Sequence, residues 1–322
     1  MKISEASYKD QRAISLESDK ARFLFLPDTG ASMASAWSKA RSKEYLVQRP
    51  QETYLRQPFG GVYVDAECCG MDDMFPTIDT CTYEKFPWTG APLADHGEVW
   101  NLPCRTAISE NSVQFTCFGV RLPYVFHKEA SMPNDTTVLL KYRVENPTHF
   151  DMDFLWAGHT MIVAEQGLKL HVPDDCQKGV AVFSNTGRIG AYGERFDYPV
   201  YTDSQGIQRD VSEMKSRDGN CEKYYFENKL EHGWCAVSYP AGDVFAMSFT
   251  AKTVPYLGIL HNEGDFRDIY NIFLEPCTCA FDRPDVARLW GQSSTIPAGG
   301  AYEWEMAISL GEGDVNSTIL PL

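Results

Sequence analysis

Three side chains in this 322-residue sequence stand where a strand pattern alone does not require them: His96, His159 and Glu275. His96 lies in Asp95-His96-Gly97-Glu98, in a loop between Pro92 and Pro103. A carboxylate beside an imidazole orients the ring, and Gly97 permits a positive φ or the close approach of another group. The alternative is an exposed loop histidine. His159 closes the apolar run Phe154-Leu155-Trp156-Ala157-Gly158 and precedes Met161-Ile162-Val163. Its ring is expected to be at least half buried and to need a partner, as a catalytic group or as a satisfied core histidine. Glu275 follows Ile272-Phe273-Leu274 and precedes Pro276. An acid at the end of an apolar strand is costly to bury without a task or a partner. Burial suits it to act as a general base near neutral pH; the alternative is a salt bridge with Arg283 or Arg288. His127, His149, His171 and His232 read as surface residues, and His261 stays open between the two classes.

The elements that must carry these groups have a period of two. Val138, Leu140, Tyr142 and Val144 alternate with Lys141, Arg143 and Glu145. Tyr302, Trp304, Met306, Ile308 and Leu310 alternate with Glu303, Glu305 and Ser309. Each pattern predicts a half-buried antiparallel strand. Weaker copies occur at 23–26, 113–120, 168–172, 180–183, 234–239, 244–250 and 271–274, separated by Gly/Pro/Asp/Asn turns. Short helices are expected only at 35–46 and 211–217. The pattern predicts an all-β sandwich or barrel, one domain over 1–322 with a loop insertion near 202–223. The tail after Leu310 is expected to fray or to dock along an edge.

Composition bounds the partners. The chain carries 29 Lys+Arg against 44 Asp+Glu, a formal net charge of −15, and 13% aromatic residues. Such a surface repels phosphate, so nucleic acid and anionic membrane are excluded as general partners. A neutral, hydroxyl-rich ligand that stacks on aromatics fits this balance, and a sugar is the obvious candidate. No apolar stretch approaches a membrane helix, and the polar N-terminus does not read as a signal peptide, so a cytoplasmic protein is expected. The ten cysteines then read as buried free thiols. Cys68-Cys69 and Cys277-Thr278-Cys279 lack the spacing of a zinc knuckle, so no metal is expected.

Taken in order, three segments resemble the aldose 1-epimerase (galactose mutarotase-like) superfamily: Asp95-His96-Gly97-Glu98, Trp156-Ala157-Gly158-His159, and Leu274-Glu275-Pro276-Cys277-Thr278. The closing Ile296-Pro297-Ala298-Gly299-Gly300 and Tyr302-Glu303-Trp304 are also similar to that family, and the match spans most of 20–310. The sequence departs from the usual pattern where His159 leads into Thr160-Met161-Ile162 and where Gly70-Met71-Asp72-Asp73-Met74-Phe75-Pro76 replaces an arginine-bearing segment, which marks a divergent branch. The resemblance implies a large antiparallel β-supersandwich and a cofactor-free isomerase that interconverts the α- and β-anomers of an aldose. It implies Glu275 as base, His159 as acid at the ring oxygen and His96 as a sugar-holding partner. Asp72, Asp73, Trp100, Trp156, Tyr256 and Asn262 are the candidate sugar contacts.

Two other readings stay open. One is a sugar-binding protein without catalysis on the same scaffold. The other is a glycoside lyase or hydrolase, for which Asp72, Asp73 or Glu98 would partner Glu275. An anionic sugar would need local cations, and Arg56, Lys141 and Arg143 are the candidates, so a neutral sugar is favoured. The reading leaves a homodimer open.

Overall fold

The computed structural model describes residues 1–203 and 205–322. Its strands form a twelve-stranded and an eight-stranded sheet, with three two-stranded ribbons besides. The alternating segments pair as their pattern requires. Thr137–Glu145 and Ala301–Glu312 are antiparallel neighbours, with Tyr142 opposite Trp304 and their rings stacked at 5.0 Å. On the outward face, Lys141 and Arg143 pair with Glu305 and Glu303. The weaker copies also form strands, among them Ala21–Leu26, Val113–Phe118, Lys178–Ser184, Asp243–Phe249 and Tyr270–Cys277.

The two sheets meet through large aromatic side chains. Trp156 packs against both Tyr142 and Trp304, with ring centroids 5.0 and 4.9 Å away. Phe25 packs on Phe115, and Tyr45 on Phe245. One ion pair is sealed in this layer: Lys128 Nζ stands 2.9 Å from Asp73 Oδ2, and each side chain is at most 1% exposed. Trp156 Nε1 donates to the other oxygen of Asp73 at 2.9 Å, and Lys128 also donates to the Ala31 carbonyl. These bonds satisfy charges that would otherwise be costly to bury.

Several expectations are corrected. The segment 35–46 is not a helix: Ser32–Ser38 is a strand, followed by the short strand Lys43–Glu44. That first strand is covered on both faces, so its small residues show no two-residue alternation. The segment 211–217 is also not helical. Its backbone bonds other segments instead: the Ser212 carbonyl accepts from Leu170 N, the Met214 carbonyl accepts from Gly167 N, and Met214 N donates to the Leu168 carbonyl. Among the described residues the α-helices lie at Pro284–Leu289 and Val315–Thr318, and the tail docks Val315 and Ile319 against Ala236, Val244 and Ala246. The expected insertion near 202–223 begins in the hairpin Val200–Thr202 with Gln208–Asp210 and ends inside Cys221–Phe226, a strand of the twelve-stranded sheet. Ser204, within that expected insertion, lies outside the described residues. Cys104 and Cys117 form a disulfide, which overturns the free-thiol reading for that pair, while the other eight cysteines are free. Among the described residues, no helix is long and apolar enough to cross a membrane.

Candidate functional site

The site is built on the face of the twelve-stranded sheet that points away from the eight-stranded one. Met71–Met74, Ala157–Val163, Tyr270–Cys277, Tyr256–Glu263 and Cys221–Phe226 lie side by side there in that order. Register decides which side chains share a row, because residues directly opposite on neighbouring strands point to the same face. Asp72 is opposite His159. Ala157 opposite Cys277 and Thr160 opposite Leu274 set His159 opposite Glu275. Glu275 is opposite Gly258, and Gly258 is opposite Tyr225. The row Asp72, His159, Glu275, Gly258, Tyr225 therefore crosses five strands. Gly258 lets the Tyr225 ring close in on Glu275: a Cβ there would sit 3.1 Å from the Tyr225 ring and 3.5 Å from Glu275 Cβ.

His159 Nε2 lies 3.8 Å from Glu275 Oε1. Glu275 is fully buried, and its Oε1 has no hydrogen-bond partner among the described residues. Lys223 Nζ stands 2.8 Å from Oε2 and 2.7 Å from Asp282 Oδ1, and Tyr225 Oη donates to the same Asp282 oxygen at 2.5 Å. Burial raises the pKa of Glu275, with Lys223 opposing and Asp282 adding to the rise. Lys223 is buried, which disfavours its charge, yet Asp282 and Glu275 together hold its pKa above the ordinary lysine value. Burial pushes His159 well below the usual imidazole pKa, and His96 and Lys223 push it further, so the ring is neutral at pH 7.

His96 arrives on a loop whose shape depends on two left-handed residues, His96 at φ 58° and Gly97 at φ 76°. A Cβ on Gly97 would sit 2.2 Å from the Phe75 carbonyl oxygen. Gly97→Ala is therefore expected to lower stability by about 1–3 kcal/mol, read from urea unfolding. An unchanged midpoint would show that the loop relaxes at no cost. The loop is latched further by Glu98, whose carboxylate accepts from Val120 N, Arg121 N and Tyr124 Oη. Asp95 holds His96 Nδ1 at 2.8 Å and accepts from Tyr63 N at 2.8 Å. The His96 ring stacks on Tyr63 at 4.2 Å and meets His159 edge to face at 5.4 Å. With its side chain 16% exposed, against 6% for His159 and 0% for Glu275, His96 is the member of the trio that reaches solvent.

The expected residues divide cleanly. His96, His159 and Glu275 come together, and Trp100 joins them through an edge-to-face contact with Tyr63 at 5.1 Å. Asp72 lies in the row but is enclosed by Ser32 and Tyr63, whose hydroxyls it accepts from. Asp73 and Trp156 point the other way, into the layer between the sheets, because each neighbour along a strand faces the opposite side. Asn262 is used up within its own hairpin, bonding Asn271 Oδ1 and the Phe266 backbone. Tyr256 is buried beside Cys277, one position along from Glu275 on that face, and its hydroxyl has no partner among the described residues. The partner of Glu275 is Lys223, not Arg283 or Arg288, which pair with Asp285 and Glu84. Arg56 reaches the Asp28 carbonyl, and Lys141 and Arg143 lie on the outer face of the eight-stranded sheet.

Sequence reasoning missed Tyr63, Lys223, Tyr225 and Asp282. The signal for two of them was present: in Cys221-Glu222-Lys223-Tyr224-Tyr225-Phe226, Lys223 and Tyr225 share a phase. The larger cavities lie elsewhere. One of about 880 Å³, lined by His171, His232 and Trp234 among others, contains none of these residues. The converging ionisable groups, rather than cavity size, mark the candidate site.

Comparison with known proteins bears on the fold. No family model and no curated protein matches the chain. Solved structures do. The Slr1438 protein from Synechocystis sp. PCC 6803 is 12% identical with a TM-score of 0.68, covering 95% of this chain and 99% of its own. A galactose mutarotase-like protein from Clostridium acetobutylicum is 13% identical with a TM-score of 0.67, over 96% and 98% of the two chains. A protein of Klebsiella pneumoniae, named provisionally as an aldose 1-epimerase, is 13% identical with a TM-score of 0.70, over 97% of this chain and 83% of its own. The backbone thus agrees along nearly the whole length while the side chains have diverged, and the chain has the galactose mutarotase-like β-sandwich fold.

Proposed function

We propose that this protein is an aldose mutarotase that accelerates exchange between the α- and β-anomers of a hexose. The observation that carries the reading is the His159–Glu275 pair. A neutral imidazole and a carboxyl group raised in pKa face each other across 3.8 Å on one sheet face, with Glu275 Oε1 lacking a hydrogen-bond partner among the described residues. Anomer exchange needs two coupled proton movements. One group takes the proton of the C1 hydroxyl while another gives a proton to the ring oxygen; the C1–C2 bond rotates in the open aldehyde, and closure reverses both transfers. A positioned acid and base supply this without a cofactor, each contributing on the order of 10²–10⁴-fold. The resemblance assigns Glu275 as base and His159 as acid, with His96 holding the sugar; Trp100, against Tyr63, is a further candidate contact.

The sugar is proposed to be neutral. Lys223, the buried cation of the cluster, already bridges Glu275 and Asp282. Saturation-transfer NMR across a panel of free hexoses is the direct test. Exchange faster than in buffer for at least one sugar, lost in His159→Ala, is the expected result. Binding without acceleration would favour a non-catalytic sugar-binding protein.

One observation favours a second reading. Asp282 and Glu275 flank Lys223 so closely that their oxygens are at most about 5.5 Å apart, a separation found in retaining glycosidases. The gap between these carboxylates is filled by an ammonium group, however, and cleavage needs the glycosidic bond there. Release of reducing ends from aryl glycosides would support this reading over the first.

A further inference from the structure

We propose that Tyr63 and Asp72 are positioning residues that fix which nitrogen of His159 carries its proton, so that the Nε2 lone pair is aimed at Glu275. The inference deepens the anomer-exchange reading and rests on it for its catalytic consequence.

Tyr63 sits in the short turn Tyr63–Asp65 and is 1% exposed. Its hydroxyl lies 2.6 Å from Asp72 Oδ2 and 3.4 Å from His159 Nδ1. An ionised carboxylate only accepts, so the single proton of Tyr63 points at Asp72. The phenol oxygen then presents lone pairs alone to His159. A bare Nδ1 there would set two lone pairs against each other, whereas an Nδ1–H is attracted. The neutral ring therefore holds its proton on Nδ1 and leaves Nε2 free, facing Glu275 Oε1. The whole relay is buried: Asp72 is 4% exposed and His159 5%. Burial lifts Asp72 to about 6, against the hydrogen bonds from Ser32 and Tyr63, so it is ionised above that pH and the direction of the relay holds at neutrality.

This orientation exchanges the roles that the resemblance assigns. His159 Nε2 takes the proton of the C1 hydroxyl. The C1–O5 bond breaks as its electron pair moves to O5, which in this assignment is protonated by Glu275; burial favours the protonated carboxyl there, against the Lys223 ammonium 2.8 Å away. Ring closure on the other face of C1 re-forms the C1–O5 bond. The proton on the ring oxygen returns to Glu275 and that on Nε2 to the new C1 hydroxyl, so no proton is gained or lost over the cycle.

The experiment is ¹⁵N NMR of the histidine rings in uniformly ¹⁵N-histidine-labelled protein at neutral pH, with His159 assigned by the signal lost in His159→Ala. The expected wild-type spectrum shows a protonated Nδ1 and a bare Nε2. Tyr63→Phe removes the accepting oxygen, and Asp72→Asn lets its amide donate to Tyr63, which then donates to Nδ1. Both variants are expected to move the proton to Nε2 and to slow exchange of D-glucose or D-galactose anomers by about 10²-fold. Asp72→Asn is nearly isosteric and provides the answer if Tyr63→Phe does not fold. A wild-type proton on Nε2, or an unmoved proton in a folded variant, overturns the relay. If the proton moves as expected but the wild type accelerates no sugar, the relay stands and the mutarotase reading fails instead.

Discussion

Glu275→Gln is expected to abolish accelerated anomer exchange while leaving the protein folded. Glutamine keeps the shape and an acceptor for Lys223 Nζ, which lies 2.8 Å from the native Oε2. It cannot lose or gain a proton at working pH, so whichever direction the pair runs, one of the two transfers is missing. The expected loss is on the order of 10²–10⁴-fold in the exchange rate, toward the uncatalysed value. Saturation-transfer NMR on the variant, with circular dichroism to confirm folding, measures it. Exchange within about threefold of wild type would remove Glu275 from the mechanism, since general acid–base catalysis is worth far more than that.

Lys128→Met is expected to have the largest effect on stability and none that is specific to the proposed chemistry. Lys128 and Asp73 lie in the layer between the sheets, on the reverse side of the strand that carries Asp72. Removing the ammonium leaves a carboxylate with no exposure beside the Trp156 Nε1 donor at 2.9 Å. Breaking one partner of a buried pair costs about 3–5 kcal/mol, a large part of the 5–15 kcal/mol that holds a typical domain together. The double variant Lys128→Met with Asp73→Asn removes the stranded charge and keeps an acceptor for Trp156, so it should recover most of the loss. Urea unfolding of the three proteins decides the matter. A single variant destabilised by less than about 1 kcal/mol would mean that the charge is hydrated and the layer is open to water.

These two acids, adjacent in sequence, show how far the sequence could be read. Asp72-Asp73 visibly broke the apolar pattern, and both were candidate sugar contacts. In the fold they point to opposite sides of one sheet. Asp73 holds the core ion pair, and Asp72 is enclosed by Ser32 and Tyr63. Period-two geometry says that they must diverge, but only the assembled layers say which side is core. His159 and Glu275 were easier to find, because an ionisable group at the end of an apolar run stands out wherever the strands go. Lys223 was hidden by its neighbourhood. The polar stretch before it suggested a loop, and its value comes from Glu275 and Asp282, more than 50 positions away in the chain. The segment 35–46 misled for a related reason, since a strand covered on both faces loses the alternation that identifies it.

By itself, the sequence determined the class of fold and the chemical inventory. Alternation at 138–144 and 302–310 requires half-buried strands, and the order of His96, His159 and Glu275 along them resembles one family's arrangement. These are properties of local spacing, and spacing survives in the chain without its fold. Tertiary structure alone decided the electrostatics of the cluster. Register set His159 opposite Glu275, a loop turned by Gly97 brought His96 beside them, and burial made the imidazole neutral and raised the carboxyl group. Tyr63 and Lys223 completed the cluster from distant parts of the chain. A pKa and a proton's position depend on what surrounds a group in space, and that surrounding exists only once the sheet is formed.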